Sequence, residues 1–324
     1  MVEPSVERLA FFMKNNIFNV NNQVQIQKLE NYKNSTMKLY KRVFAWDYKS
    51  AARYYNCGSH VALQNGAIKE ANFCRDRFCP MCTARRTRKL EQQNMAAYQY
   101  VKDHNEGARM LFLTLTVPNV QLWQLRKTLR AMSEGWNRLR NDRNFKKQPV
   151  IGFFRKLEVT YNDETRTYHP HYHILLTVNG HFTSIRNIVS WWSRAMRYET
   201  SLVCHIKAVR GDMDSIKEMS KYMTKPDDVL ATCLDSDTWF MLRAAFSQVK
   251  EVTYAGCWRV ARRELGYIDI DKDDLTDHEE ITHSKAPIEW YVYFFNIGYV
   301  LVNVSYEWDL GDQIAEDLAK IRAS

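Results

Sequence analysis

His171 and His173 stand one residue apart in the stretch His169-Pro170-His171-Tyr172-His173-Ile174-Leu175-Leu176. Alternate residues of a β-strand share a face. The two imidazoles therefore converge on one point, as two ligands of a single divalent metal must. A mononuclear site needs a third ligand. His169 has the same parity, but the first and third of three alternate residues lie about 13 Å apart along a strand. One ion cannot readily bind both His169 and His173. Glu158 is better placed. It falls in a strand signal over 152–161, which a polar turn at 162–167 joins to the histidine strand at 168–178. Position 158 stands as far before that turn as position 171 stands beyond it, and such residues face one another across a hairpin. A His₂Glu set with open positions suits Mn²⁺ or Mg²⁺ held against a phosphate, while imidazole also accepts Zn²⁺ or Ni²⁺.

The segment Glu218-Met219-Ser220-Lys221-Tyr222-Met223-Thr224-Lys225 would give such an ion a task. A helix is expected over 214–224, and Pro226 disfavours helical geometry at the residue before it. At about 100° per residue, Glu218, Tyr222 and Lys225 fall within about 60° of one another. Ile216, Met219 and Met223 form a separate apolar stripe that would pack on a sheet. A phenol can attack phosphorus and form a covalent phosphotyrosine. A metal can polarise the phosphate. A carboxylate one helical turn before the phenol can activate a water or a hydroxyl in a second step.

A second cluster is Cys57, Cys74, Cys79 and Cys82, four thiolates that suffice for a closed tetrahedral zinc site. Cys79-x-x-Cys82 is the close pair; Cys57 is distant, and His60 could take its place. A lone Cys-x-x-Cys also has redox spacing, but two further thiols and neighbouring arginines favour zinc. Arg75, Arg77, Arg85, Arg86 and Arg88 crowd around the last cysteines and are expected to face DNA phosphates. Cys204, Cys233 and Cys257 are scattered and read as small buried hydrophobes.

Composition frames these groups. The chain has 324 residues, 45% hydrophobic and 13% aromatic, which allows a sizeable core. Its net charge of +9, from 46 basic residues, makes polyanions natural partners. No run approaches the length of a membrane span, and the first 25 residues lack a secretory pattern. The expected location is the cytoplasm, where seven cysteines argue against a disulfide framework. Residues 269–280 are acidic and partly mimic a calcium loop. The position that needs glycine holds Asp274, however, and no exit helix follows before Pro287, so a solvated linker is expected.

The elements that must position the chemistry alternate. Helices are expected over 23–43, 83–103, 120–140, 185–198 and 230–248, and strands over 110–117, 152–161, 168–178 and 202–209. Trp191 and Trp192 read as core rather than as a platform for bases. One or two strands follow over 290–304, then a helix over 309–321. The fold class is α+β, an antiparallel sheet with helices packed on one face. Five segments result: a helical segment at 1–44, a cysteine-rich basic module at 45–105, a nuclease-like domain at 106–268, an acidic linker at 269–288 and a strand–helix element at 289–324.

Taken in order, three of these stretches resemble the motifs of plasmid rolling-circle replication initiators in the HUH endonuclease superfamily, specifically the branch that pairs one tyrosine with a glutamate. Phe112-Leu113-Thr114-Leu115-Thr116-Val117-Pro118-Asn119 is similar to the first motif, His169–Leu176 to the metal motif and Glu218–Lys225 to the nucleophile motif. The stretch Cys74–Cys82 with Arg85 and Arg86 resembles an upstream signature of the same family. The resemblance covers about residues 45–268. It implies that His171 and His173 bind the catalytic metal, Tyr222 cleaves, Glu218 helps to end the cycle and Lys225 is a cation beside metal or phosphate. It also implies origin DNA, single-stranded or in a hairpin, as substrate, with a host polymerase and helicase as partners. A transposase or mobilisation relaxase would use the same chemistry. A zinc-dependent DNA-binding repressor would need neither Tyr222 nor a catalytic metal.

Overall fold

The strand that carries the two histidines is the middle strand of a five-stranded antiparallel sheet. The structure is a computed structural model that describes residues 19–209, 235–267, 275–277 and 286–305. The chain forms two compact units. One comprises residues up to Cys82 together with those from Asp274 onward, and the other spans Thr83–Asp273.

In the Thr83–Asp273 unit the strands are β3 (Arg109–Thr116), β4 (Val150–Asn162), β5 (Thr167–Val178), β6 (Cys204–Val209) and β7 (Val252–Gly256), in the order β6-β3-β5-β4-β7. The polar turn between β4 and β5 sets the hairpin register, and that register opposes Glu158 to His171 and Lys156 to His173. On the other side of β5, Thr116 opposes His171 and Thr114 opposes His173.

Helices cover both faces of this sheet, not one as expected from the alternation of signals. Helix Leu122–Asn141 buries Leu125, Leu129, Met132 and Trp136, and packs with helix Ile185–Met196 on the face that carries Tyr172. Trp192 lies fully buried there and donates to the Thr116 carbonyl at 2.8 Å. On the face shared by the histidines, Phe112, Phe154 and Leu175 pack with Ala97, Tyr98 and Val101 of helix Pro80–Asp103 and with Trp258 and Ala261 of helix Cys257–Glu264. The Trp258 indole donates to Thr177 Oγ1 at 2.9 Å. The physical reason for two covered faces is in β5 itself. Ile174, Leu175 and Leu176 are consecutive, all 0% exposed, and point alternately to both sides. A run without alternation is the mark of a strand covered on both faces. Burying each such side chain contributes roughly 1.5–3 kcal/mol, so β5 is held firmly just beyond the histidines.

The other unit is built on a four-stranded antiparallel sheet of β1 (His60–Gln64), β2 (Ala67–Ala71), β8 (Ile288–Phe294) and β9 (Gly298–Ser305), in the order β2-β1-β8-β9. Helix Val20–Val43 starts at Asn19, whose side chain accepts from the Asn21 and Asn22 amides. The Glu30 carboxylate of that helix accepts from the Tyr299 amide at 3.1 Å.

This grouping differs from the order of segments along the chain. Residues 83–103, read with the cysteine module, fall in the five-stranded unit, and β8 of the C-terminal element pairs with β1 of the cysteine segment. Such long-range strand pairing leaves no mark in local periodicity. Asp277, expected in a solvated linker, is 7% exposed. Its carboxylate accepts from the Ile68 amide at 2.9 Å, and its own amide donates to the Ile68 carbonyl at 2.8 Å. The remaining acidic residues from Asp269 to Asp274, the expected helix over 309–321 and Cys233 lie outside the described residues.

Candidate functional site

The Glu158, His171 and His173 side chains meet on one face of the five-stranded sheet, with one ligand atom of each within 4.8 Å of the others. His171 Nδ1 lies 3.2 Å from the His169 carbonyl. A carbonyl only accepts, so Nδ1 carries the proton and the Nε2 lone pair turns toward His173. The two Nε2 atoms are 3.1 Å apart. Two nitrogens bound at right angles to one ion at about 2.1 Å would be about 3 Å apart. His173 Nε2 is 3.6 Å from Glu158 Oε2, a buried oxygen that makes no hydrogen bond. Thr114 Oγ1 stands 3.2 Å from His173 Nδ1 and fixes that ring from behind. A buried carboxylate oxygen without a hydrogen bond, beside two ring nitrogens that face one another, makes a His₂Glu donor set that fits a divalent cation.

His169 is not part of this group, although its ring centre lies 5.2 Å from that of His171. Its Nδ1 pairs with Asn119 Oδ1 at 2.8 Å, and burial, with His171 nearby, lowers its pKa. The strand-spacing argument against His169 as third ligand therefore agrees with its place. Lys156, not among the expected site residues, has no exposed side-chain area and lies 3.6 Å from Glu158 Oε2. The signal available was its position two residues before Glu158, on the same strand face. Asn119 is a further residue of the site's edge; its amide also donates to Thr167 Oγ1 at 3.2 Å. Tyr222, Glu218 and Lys225 lie outside the described residues.

In the other unit, Cys57, Cys74, Cys79 and Cys82 form a second group with all four Sγ atoms within 4.8 Å. Cys57 Sγ is 3.5 Å from Cys82 Sγ and 3.6 Å from Cys79 Sγ, and Cys74 Sγ is 3.6 Å from Cys82 Sγ. These spacings are far beyond a disulfide bond. Four sulfurs bound tetrahedrally at about 2.3 Å to one ion would be about 3.8 Å apart. The Cys74 amide points at Cys57 Sγ at 3.3 Å and the Arg75 amide at Cys82 Sγ at 3.1 Å. The left-handed backbone at Arg75, φ 59°, turns the chain there. Thiol hydrogen bonds from Cys74, Cys79 and Cys82, with burial, push the Cys57 thiol well above its ordinary pKa. Such a cage holds protons until an ion displaces them. His60 stands apart, with Nδ1 3.0 Å from Ser59 Oγ.

The expected arginine face is corrected in part. Arg85 and Arg86 are 3% and 4% exposed, so they do not belong to an open basic surface. They lie on helix Pro80–Asp103, whose inward face takes up successive residues. Arg75 is exposed, and Arg77 and Arg88 are half-buried. Cys204 is buried, and burial pushes its thiol up to about 12, while Cys257 is half-buried. Among the described residues, no helix is long and apolar enough to cross a membrane.

Comparison with known proteins adds to this geometry. The family model described as "Replication protein" matches residues 65–297. A relative named "Protein rep" from Bacillus amyloliquefaciens is 32% identical over 276 residues, 75% of this chain and 81% of the relative. Another "Protein rep", from Streptococcus pneumoniae serotype 2, is 30% identical over 254 residues, 71% of this chain and 78% of the relative. One from Staphylococcus aureus is 32% identical over 176 residues, 52% of this chain and 76% of the relative. No solved structure matches. The family match spans β2 and the sheet that brings Glu158, His171 and His173 together, and the chain belongs to the replication protein (Rep_1) family of plasmid rolling-circle initiators.

Proposed function

We propose that this replication initiator nicks one strand at its plasmid origin and holds the 5′ phosphate on Tyr222. The observation that carries the reading is the convergence of Glu158, His171 and His173 on one sheet face, in a chain of this family. Attack forms a bond from Tyr222 Oη to phosphorus as the bond from phosphorus to the 3′ oxygen breaks. The phenol gives up its proton and the departing 3′ oxygen gains one, leaving a 3′ hydroxyl that primes a host polymerase. Glu158, His171 and His173 would hold Mn²⁺ or Mg²⁺. When bound, the cation supplies positive charge to the scissile phosphate. Lys225 adds a further cation beside that phosphate. Glu218 takes a proton from the water or hydroxyl that attacks at termination.

The four-cysteine cage would hold structural Zn²⁺, and Arg75, Arg77 and Arg88 would contact DNA phosphates beside it. The substrate is single-stranded or hairpin origin DNA, a host helicase opens the duplex ahead of the polymerase, and the cytoplasm is the place of action.

The test incubates the full chain with end-labelled single-stranded origin DNA and Mn²⁺. The expected result is a covalent protein–DNA adduct that Tyr222→Phe abolishes. An adduct that persists in Tyr222→Phe moves the nucleophile elsewhere, and origin binding without any adduct favours a DNA-binding repressor. Glu218→Ala is expected to nick normally and to accumulate unterminated product; equal loss of both activities would refute its separate role.

A further inference from the structure

The face of the five-stranded sheet opposite Glu158, His171 and His173 carries a cavity of about 640 Å³. Arg155 and Tyr172 line it, because they alternate in β4 and β5 with the residues of the metal-site face. Its floor is Trp136, Phe153 and Tyr172 around the Arg155 guanidinium. Arg155 is 4% exposed, stacks 4.3 Å over the Tyr172 ring and donates to Thr253 Oγ1 at 3.1 Å. Among the described residues no carboxylate pairs with it. A buried guanidinium without an anion is costly, and burial lowers the Arg155 pKa.

The rim has the same sign. Arg130, Arg140, Lys250 and Arg259 are exposed around the opening, with Arg140 stacked 5.1 Å from the Phe153 ring centre. Glu134 also lies on the rim and is already paired with Arg138 at 3.4 Å.

We infer that this cavity binds a backbone phosphate of DNA, with Arg155 and Arg140 as its ligands and the exposed cations tracking the strand on either side. The Tyr172 and Phe153 rings hold the two guanidinium groups at the cavity, where N–H groups beyond the Arg155–Thr253 bond can donate to phosphate oxygens. The cavity exceeds what one inorganic phosphate would fill, and its open basic rim suits a continuing strand. Because it lies on the other face of the sheet, it takes a different stretch of DNA from the one at Glu158 and the histidines. The inference rests on the DNA-processing reading above.

The test measures binding of a labelled single-stranded origin oligonucleotide to the full chain by fluorescence anisotropy across a salt titration. The variants are the double change Arg140→Ala with Arg155→Met and the rim pair Arg130→Ala with Arg140→Ala, which alters only exposed residues. Lys127→Ala, an exposed cation on the same helix that does not line the cavity, is the control. Each double variant is expected to bind roughly 10-fold more weakly, with a log K against log salt slope shallower by about 1–1.5. Arg155→Lys, which keeps the charge, is expected to recover part of the slope. Circular dichroism checks folding, and the rim pair decides the matter if Arg155→Met is unfolded. Slopes and affinities equal to those of Lys127→Ala would overturn the cavity's role while wild type still forms the Tyr222 adduct. A wild-type chain that binds no DNA overturns this inference and the proposed function together.

Discussion

Glu158 and His171 face one another across the β4–β5 hairpin, and the Glu158 carboxylate comes within 3.6 Å of His173 Nε2. This one pairing brings a carboxylate to two imidazoles that are adjacent only because they alternate on a strand. Glu158→Gln keeps the side chain's shape and removes its charge. Mn²⁺ affinity, read by isothermal titration, is expected to fall at least 10- to 100-fold, the range found when even an outer partner of a ligand is lost. Unchanged affinity would remove Glu158 from the ligand set. Glu158→Gln also takes the charge partner from buried Lys156, so a melting curve accompanies the titration to separate lost binding from lost stability.

The cysteine cage makes a separate prediction, because it belongs to the unit built on β1, β2, β8 and β9. Elemental analysis of purified chain is expected to give one zinc, retained on dialysis and lost in Cys79→Ser. Removal by a strong chelator should lower the melting temperature measurably, since structural zinc binding contributes directly to folding. The Mn²⁺ affinity at Glu158 should survive the loss if the two sites are independent. A zinc-free protein with an unchanged melt would reduce the cage to four buried thiols.

The site was legible in the sequence where its geometry is local. Strand parity paired His171 with His173, and the distance to a turn paired Glu158 with His171. Both arguments use only the period of a strand. Trp191 and Trp192, expected in the core rather than as a platform for bases, are 8% and 0% exposed. What escaped depends on partners far along the chain. The second helical layer was hidden because Trp258 and Ala261 come from a short helix after β7, and neither element stands out as a pattern. Arg85 and Arg86 read as a basic surface because charge runs usually are solvated, yet helix Pro80–Asp103 buries them. Lys156 escaped because nothing in local periodicity marks a strand lysine as fully buried. The aromatic stacking of Arg155 follows from the cross-strand position of Tyr172 and was not sought.

Gly256, the last residue of β7 and the N-cap of helix Cys257–Glu264, tests how tightly the metal-site face is packed. Its φ of 58° and ψ of −136° suit glycine, and a Cβ there would run into the Ile151 carbonyl oxygen and the Gly152 Cα. Both obstacles are backbone of β4 and cannot swing aside. Gly256→Ala is expected to destabilise by about 2–4 kcal/mol. Gly107→Ala separates strain from crowding: its φ is 73°, but nothing lies within 4 Å of an added Cβ. It should cost only about 1 kcal/mol. Chemical denaturation midpoints compare the two, and equal costs would mean that the close packing at Gly256 is relieved by a backbone shift.

Acid sensitivity should have an identifiable source at Asp142. This residue caps helix Arg143–Lys146, accepting from the Asn144 amide at 2.8 Å, and binds Arg194 Nη2 at 2.6 Å. Burial alone would raise its pKa. The Asn144 amide, the Arg194 guanidinium and the Phe145 amide outweigh it, so the carboxyl sits below its ordinary value. A depressed carboxyl stabilises the fold above its unfolded pKa, and the contribution disappears as pH falls through the folded value. Asp142→Asn keeps a good cap and removes the charge. At neutral pH it should be less stable by under about 1 kcal/mol, because Arg194 is well exposed and the pair is screened. That difference should shrink to nothing as the pH drops below the carboxylate range, and it should be smaller in an Arg194→Ala background, where only the Asn144 and Phe145 amides still favour the charge. Urea midpoints at a series of pH values give the measurement, and a gap that persists in acid would assign the loss to the cap rather than to the charge.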